Sequence, residues 1–159
     1  MKTEELAAAV IQALCREGKT LSTAESCTGG GIGYALTAVP GSSAAYLGGV
    51  ISYANGVKAQ VLGVPGNVLK SHGAVSEQTA RYMAQGVQSI VGSDLAVSVT
   101  GIAGPASDDT NKPVGLVYIG VCDGKEVQVH EHHFSGDRSQ VRTLTIHAAL
   151  QHVMDRMKG

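Results

Sequence analysis

At 159 residues, with 43% hydrophobic content and a formal net charge of −1, the chain is sized and composed for one soluble domain with a full core. No basic stripe marks a nucleic-acid footprint, and the longest apolar runs, such as Leu95 to Val99, fall far short of a membrane span. Met1-Lys2-Thr3-Glu4-Glu5 carries acids and no signal-peptide core, so a cytoplasmic protein with neither nucleic-acid nor membrane partners is expected.

In chain order, Glu4 to Arg16 places Leu6, Val10, Ile11, Leu14 and Cys15 on a helical stripe that stops at Gly18. Thr20 to Ala24 is a short strand, and the Gly-rich stretch from Thr28 opens a helix to Ala38. Pro40-Gly41-Ser42-Ser43 is a turn, and Tyr46 to Tyr53 is a second strand. Asn55 is placed to N-cap a short helix carrying Lys58, and another short helix follows Gly63-Val64-Pro65-Gly66. Ser76-Glu77-Gln78-Thr79 caps a long helix with Ala80, Met83, Ala84, Val87 and Ile90 on its apolar face. Leu95 to Thr100 is apolar enough to be covered on both faces. After a loop from Gly101 to Pro113, strands Val114 to Val121 and Glu126 to Phe134 flank Asp123-Gly124, a hairpin signal, and Ser139 to Met157 forms the last helix. The expected fold is a single α/β domain over residues 1–159. It is a three-layer α/β/α sandwich whose sheet is mixed, mostly parallel, and includes one antiparallel hairpin.

The most chemically suggestive stretch is Thr23-Ala24-Glu25-Ser26-Cys27-Thr28-Gly29-Gly30-Gly31. A strand entering a Gly-rich helix start leaves backbone N–H groups free for an anion, and the hydroxyls of Ser26 and Thr28 add donors. Familiar nucleotide motifs fail on spacing. Reading G-x-G-x-x-G from Gly29 or Gly31 puts Tyr34 or Leu36 at the third glycine, and a Walker A reading of Gly18-Lys19-Thr20 puts Ala13 at the first. Tyr53 and Lys58 are spaced wrongly for Y-x-x-x-K.

The three cysteines have no C-x-x-C spacing. Cys15 and Cys122 read as buried thiols; Cys27, beside the Gly-rich turn, is a weak candidate for a reactive thiol at a helix start, because no His partner lies near it in sequence. His130 and His132 share a strand face with no third ligand in reach, so they read as solvent-facing, as do His147 and His152 on the last helix, and no metal site is expected. What survives is a set of hydroxyls and one lysine. Ser42 and Ser43 occupy a tight turn, followed by Tyr53 and by Lys58, which once desolvated serves as a base. Ser98-Val99-Thr100-Gly101-Ile102-Ala103-Gly104-Pro105 exits a buried strand where open α/β sheets bind ligands. Arg138 and Arg142 lie one turn apart on the last helix, suited to a phosphate or carboxylate.

These segments, with His72-Gly73-Ala74-Val75-Ser76-Glu77, Lys112-Pro113-Val114-Gly115 and Val141-Arg142, run from about Thr20 to Leu150. Together they resemble the CinA C-terminal domain family, whose active members are nicotinamide-nucleotide amidohydrolases. The resemblance implies a stand-alone form of that domain and hydrolysis of nicotinamide mononucleotide to nicotinate mononucleotide and ammonia, without cofactor or metal. Carried over by position, it implies Ser43 as nucleophile, Lys58 as general base and Tyr53 as its helper, with Ser26 as the alternative nucleophile. Ser26, Thr28, Gly29, Gly30, Thr100, Gly101, Arg138 and Arg142 would contact substrate, and amides at the helix start would stabilise the oxyanion. The family often has a larger residue where Gly31 stands, implying a roomier pocket floor, and the loop Ala106 to Lys112 is a candidate lid. A non-catalytic domain using the pocket for nucleotide sensing or partner binding is the alternative; Ser43, Tyr53 and Lys58 together favour the enzyme. A homodimer is the expected assembly.

Overall fold

The computed structural model describes residues 1–107 and 111–158. Its elements are α1 (Thr3–Glu17), β1 (Leu21–Glu25), α2 (Gly31–Thr37), a 3-10 turn (Ser42–Ala44), β2 (Tyr46–Ile51), α3 (Asn55–Gln60), α4 (Gly66–His72), α5 (Glu77–Val91), β3 (Leu95–Gly101), β4 (Leu116–Cys122), β5 (Val127–His133) and α6 (Arg138–Lys158). One five-stranded sheet runs in the order β2-β1-β3-β4-β5. β1 pairs in parallel with β2 and β3, while β3–β4 and β4–β5 are antiparallel. The sheet is mixed, as expected, but its parallel part ends at β3. The link from β3 to β4 carries no described helix, so the chain returns antiparallel instead of crossing over.

Helices α1, α2 and α6 cover one face, where Leu6, Val10, Leu14, Ile32, Val141, Leu150 and Val153 bury against Leu21, Val97, Val99 and Ile119. α5 covers the other, packing Met83, Ala84 and Val87 onto Ala24, Ala96 and Cys122. β1 and β3 are buried along almost their whole length, which is why the Leu95–Thr100 run lacks polar alternation. Polar residues on these strands are satisfied in place: Ser22 Oγ bonds Ser93 Oγ at 2.7 Å and Thr23 Oγ1 bonds Tyr46 Oη at 2.7 Å.

Ser76 caps α5 as its sequence predicts, its Oγ accepting the Thr79 N–H at 3.1 Å. Asn55 opens α3, and the cap position belongs to Ala54. α2 starts at Gly31, not Thr28, because Gly29 (φ 59°) and Gly30 (φ 96°) take left-handed conformations and prolong the turn after Ser26. Cys15 is exposed while Cys27 and Cys122 are buried; in the last turn of α1, Cys15 lies beyond the contact that buries Leu14. His130, His132 and His152 are half-buried, not solvent-facing, because α6 lies over that face of β5. His130 and His152 stack with ring centroids 3.8 Å apart, and the Nε2 atoms of His132 and His152 are 2.8 Å apart.

Candidate active site

β1 ends at Glu25 and delivers Ser26 to the carboxyl edge of the parallel strands, the usual ligand edge of an α/β sheet. The chain leaving β2 folds back over this edge, tied by Ser52 N–H donating to the Glu25 carbonyl at 2.7 Å. That tie carries α3 inward and buries Lys58 to 1% exposure. The Lys58 Nζ donates to Ser26 Oγ at 3.0 Å, to the Ser52 carbonyl at 2.6 Å and to the Tyr53 carbonyl at 3.1 Å. A cavity of about 240 Å³ opens over the pair. Ser26, Cys27 and Lys58 line it with Ala74, Val75 and the Thr100–Gly104 exit of β3, and Tyr53 and Arg138 stand at its exposed rim.

Burial depresses the Lys58 pKa from 10.5 to about 8, against an opposing pull from Cys27. Burial also raises the Cys27 pKa to about 11, so this thiol is protonated at neutral pH and is no reactive thiolate. The three acceptors around Lys58 match the three N–H bonds of an ammonium. Once one proton leaves, the two carbonyls hold the remaining N–H bonds and the lone pair faces Ser26 Oγ.

Ser26, Tyr53, Lys58, Thr100, Gly101 and Arg138 therefore meet at one cavity, and Ser43 does not. Ser43 is exposed in the turn before β2, whereas Lys58 follows the other end of that strand. Six residues of β2 lie between, about 20 Å of chain at roughly 3.3 Å per residue. Tyr53 holds Lys58 through its backbone carbonyl, while its hydroxyl accepts from Arg138 Nη2 at 3.2 Å.

The two arginines also separate. Arg138 donates to the Gly104 carbonyl at 2.7 Å and faces the rim. Arg142 donates to the Cys27 carbonyl at 3.0 Å and the Thr28 carbonyl at 3.2 Å, behind the turn. Thr100 Oγ1 donates to the Ala74 carbonyl at 2.7 Å and ties β3 to the opposite wall.

The anion seat expected at the start of α2 is already occupied. Glu25 accepts from Thr28 Oγ1 at 2.6 Å, from Ile32 N–H at 2.9 Å and from Gly33 N–H at 3.0 Å. Gly29 and Gly31 N–H groups turn to the Ser26 and Thr28 carbonyls, both at 3.0 Å. Helix-start amides thus serve the protein's own carboxylate. Gly31 does not widen the pocket floor either; it faces α6, where an added Cβ would collide with Ile146 Cδ1. Part of the candidate lid, residues 108–110, lies outside the described residues; Ala106 and Ser107 line the cavity. Lys112 donates to the His72 and Val75 carbonyls.

Neither Glu25 nor Ser52 stands out in the sequence as a site residue. The available signal is a carboxylate at the end of a strand that is otherwise fit for burial, since such a group needs several donors. Among the described residues, no group of three His, Cys, Asp or Glu could hold a metal ion, and no helix is long and apolar enough to cross a membrane.

Fold and site together define a mixed-sheet α/β domain with a buried serine–lysine pair at the carboxyl edge of its parallel strands. The chain belongs to the CinA C-terminal domain family, whose sequence model matches residues 3–157. A CinA-like protein of Parasynechococcus marenigrum (strain WH8102) is 47% identical over 156 residues, covering 97% of this chain and 37% of that protein. One from Thermotoga maritima is 39% identical over 156 residues, covering 98% of this chain and 38% of its own length. The chain thus spans little more than a third of these curated relatives. Among solved structures, competence damage-inducible protein A (ComA) from Klebsiella pneumoniae superposes with a TM-score of 0.97 at 34% identity, covering 99% of this chain and 98% of that one. The competence/damage inducible protein CihA from Agrobacterium tumefaciens gives 0.94 at 40% identity, covering 99% and 96%.

Proposed function

We propose that this chain is an amidohydrolase that converts nicotinamide mononucleotide to nicotinate mononucleotide and ammonia through an acyl-enzyme on Ser26. One observation carries the reading: a buried lysine amine with a depressed pKa, 3.0 Å from a serine oxygen at the wall of a cavity. A nucleophile and base at hydrogen-bond distance, with the base held by further groups, is the arrangement that activates a hydroxyl. The choice of substrate rests on the motifs that resemble the amidohydrolase members of the family.

In the acylation step the Ser26 Oγ attacks the carboxamide carbon while neutral Lys58 takes the hydroxyl proton. The resulting ammonium passes that proton to the carboxamide nitrogen, the C–N bond breaks, and ammonia leaves. Water then attacks the ester, its proton going to Lys58 and returning to Ser26 Oγ as nicotinate mononucleotide departs. The Ser52 and Tyr53 carbonyls keep the amine in place through both halves. The cavity, about 240 Å³, lies below the roughly 300–1,000 Å³ of sites that enclose drug-sized ligands. It suits the carboxamide ring, leaving the phosphate at the rim beside Arg138, whose fork matches it.

The test is ammonia release from nicotinamide mononucleotide by wild type, Ser26→Ala, Lys58→Ala and Ser43→Ala. Release by wild type and Ser43→Ala, with loss of about 10³-fold or more in the other two, is expected. Absence of release by wild type overturns the proposal, and retained binding would then mark a recognition domain.

A further inference from the structure

We propose that Glu25 is a positioning residue that sets the Ser26–Lys58 geometry from both sides; the inference rests on the amidohydrolase reading of that pair. Glu25 is 2% exposed, directly precedes Ser26, and connects two separate elements. Its carboxylate gathers Thr28 Oγ1 and the Ile32 and Gly33 N–H groups at 2.6–3.0 Å, anchoring the start of α2. Its backbone carbonyl accepts from Ser52 N–H at 2.7 Å and Ser52 Oγ at 3.3 Å, and the Ser52 carbonyl in turn holds Lys58 at 2.6 Å.

The need for such an anchor is local. The turn leaving Ser26 contains two left-handed glycines, which give the backbone wide freedom unless something outside restrains it. A charged acceptor taking three donors is a strong restraint. Glutamine at this position offers one acceptor oxygen and presents its NH₂ to a partner that is itself a donor, so the turn and the adjoining Ser26 must shift. Displacement of reacting groups by about 1 Å costs on the order of 10²-fold in rate.

A cap serving stability alone would lower the melting temperature of Glu25→Gln and leave the folded enzyme's turnover unchanged. The positioning role predicts more at a temperature where both proteins are folded by circular dichroism. There kcat on nicotinamide mononucleotide falls about 10²-fold with KM within about threefold. Covalent labelling of Ser26 by a fluorophosphonate slows in parallel, and Glu25→Asp recovers part of both rates. Wild-type kcat and labelling rate in folded Glu25→Gln overturn the inference while leaving the amidohydrolase reading intact. If Glu25→Gln does not fold, Thr28→Val, which removes one donor from the carboxylate, carries the same comparison. A wild type that labels at Ser26 without hydrolysing leaves the labelling rate as the readout. A wild type that does neither overturns the amidohydrolase reading and this inference with it.

Discussion

Lys58 Nζ stands 3.0 Å from Ser26 Oγ, and its other hydrogen bonds go to the Ser52 and Tyr53 carbonyls at 2.6 and 3.1 Å. Loss of one proton therefore yields a base already aimed at its serine. With the pKa depressed to about 8 by burial, about a tenth of the amine is free at pH 7. The expected kcat/KM rises nearly tenfold per pH unit below about 8 and levels above it, read from ammonia release across the neutral and mildly alkaline range. Lys58→Arg, which stays protonated, loses about 10³-fold or more. A pH-independent wild type would remove Lys58 as the base. The same shift acts on stability. Between about 8 and 10.5 the unfolded chain holds a proton that the folded one has lost, so this group's contribution rises with pH across that window.

Ser26→Ala and Ser43→Ala separate the two serines. Ser26→Ala is expected to lower ammonia release by about 10³-fold or more, and to cost about 1–3 kcal/mol of stability at most, because the buried Lys58 amine loses one of its three acceptors. Ser43→Ala, at an exposed turn, should keep kcat within about twofold. Loss of activity on removal of Ser43 would falsify the assignment.

The sequence carries this much of the result for identifiable reasons. The strand Leu95–Gly101, buried through Thr100, and the Ser76-capped α5 follow from apolar continuity and a capping side chain, both local properties. The Asp123-Gly124 hairpin is equally local. Pairing Lys58 with Ser26 is not, since thirty-two positions separate them and the pairing depends on β2 lying parallel to β1. That direction puts the start of β2, with Ser43, at the opposite end of the sheet from the edge that carries Ser26. Glu25 illustrates the same limit: a helix start reads as an open anion site until a strand residue is found already filling it.

Arg138 and Arg142, one helical turn apart, are expected to fail differently. Arg138 faces the cavity rim, so Arg138→Ala should raise KM for nicotinamide mononucleotide about tenfold, equivalent to about 1.4 kcal/mol, with kcat little changed. Arg142 instead holds the Cys27 and Thr28 carbonyls. Arg142→Ala should lower unfolding stability by about 1–3 kcal/mol by leaving those acceptors short of partners, measured by urea denaturation with unchanged slope. A larger KM effect from Arg142 than from Arg138 would reverse the assignment of the substrate contact.

The histidines of β5 and α6 predict acid sensitivity far from the cavity. Burial, then the charges of His130 and His132, push the His152 pKa from 6.5 down to about 4, with Asp155 pulling the other way. His130 is lowered by burial, opposed by Asp155 and aided by Arg156; His132 is lowered by burial and by His130 and His133. These groups are neutral in the folded protein at pH values where the unfolded chain has begun to bind protons. Their contribution is therefore full above the unfolded value of 6.5 and for His152 is lost as pH falls toward about 4. His152→Leu removes both the 2.8 Å contact with His132 and the stack on His130, so it costs stability at neutral pH but much less in acid. Urea midpoints of wild type and His152→Leu should thus converge as pH drops through that window, while carboxylate titration shifts both proteins alike. Parallel curves with a constant gap would show that the imidazoles pack there without their protonation governing stability.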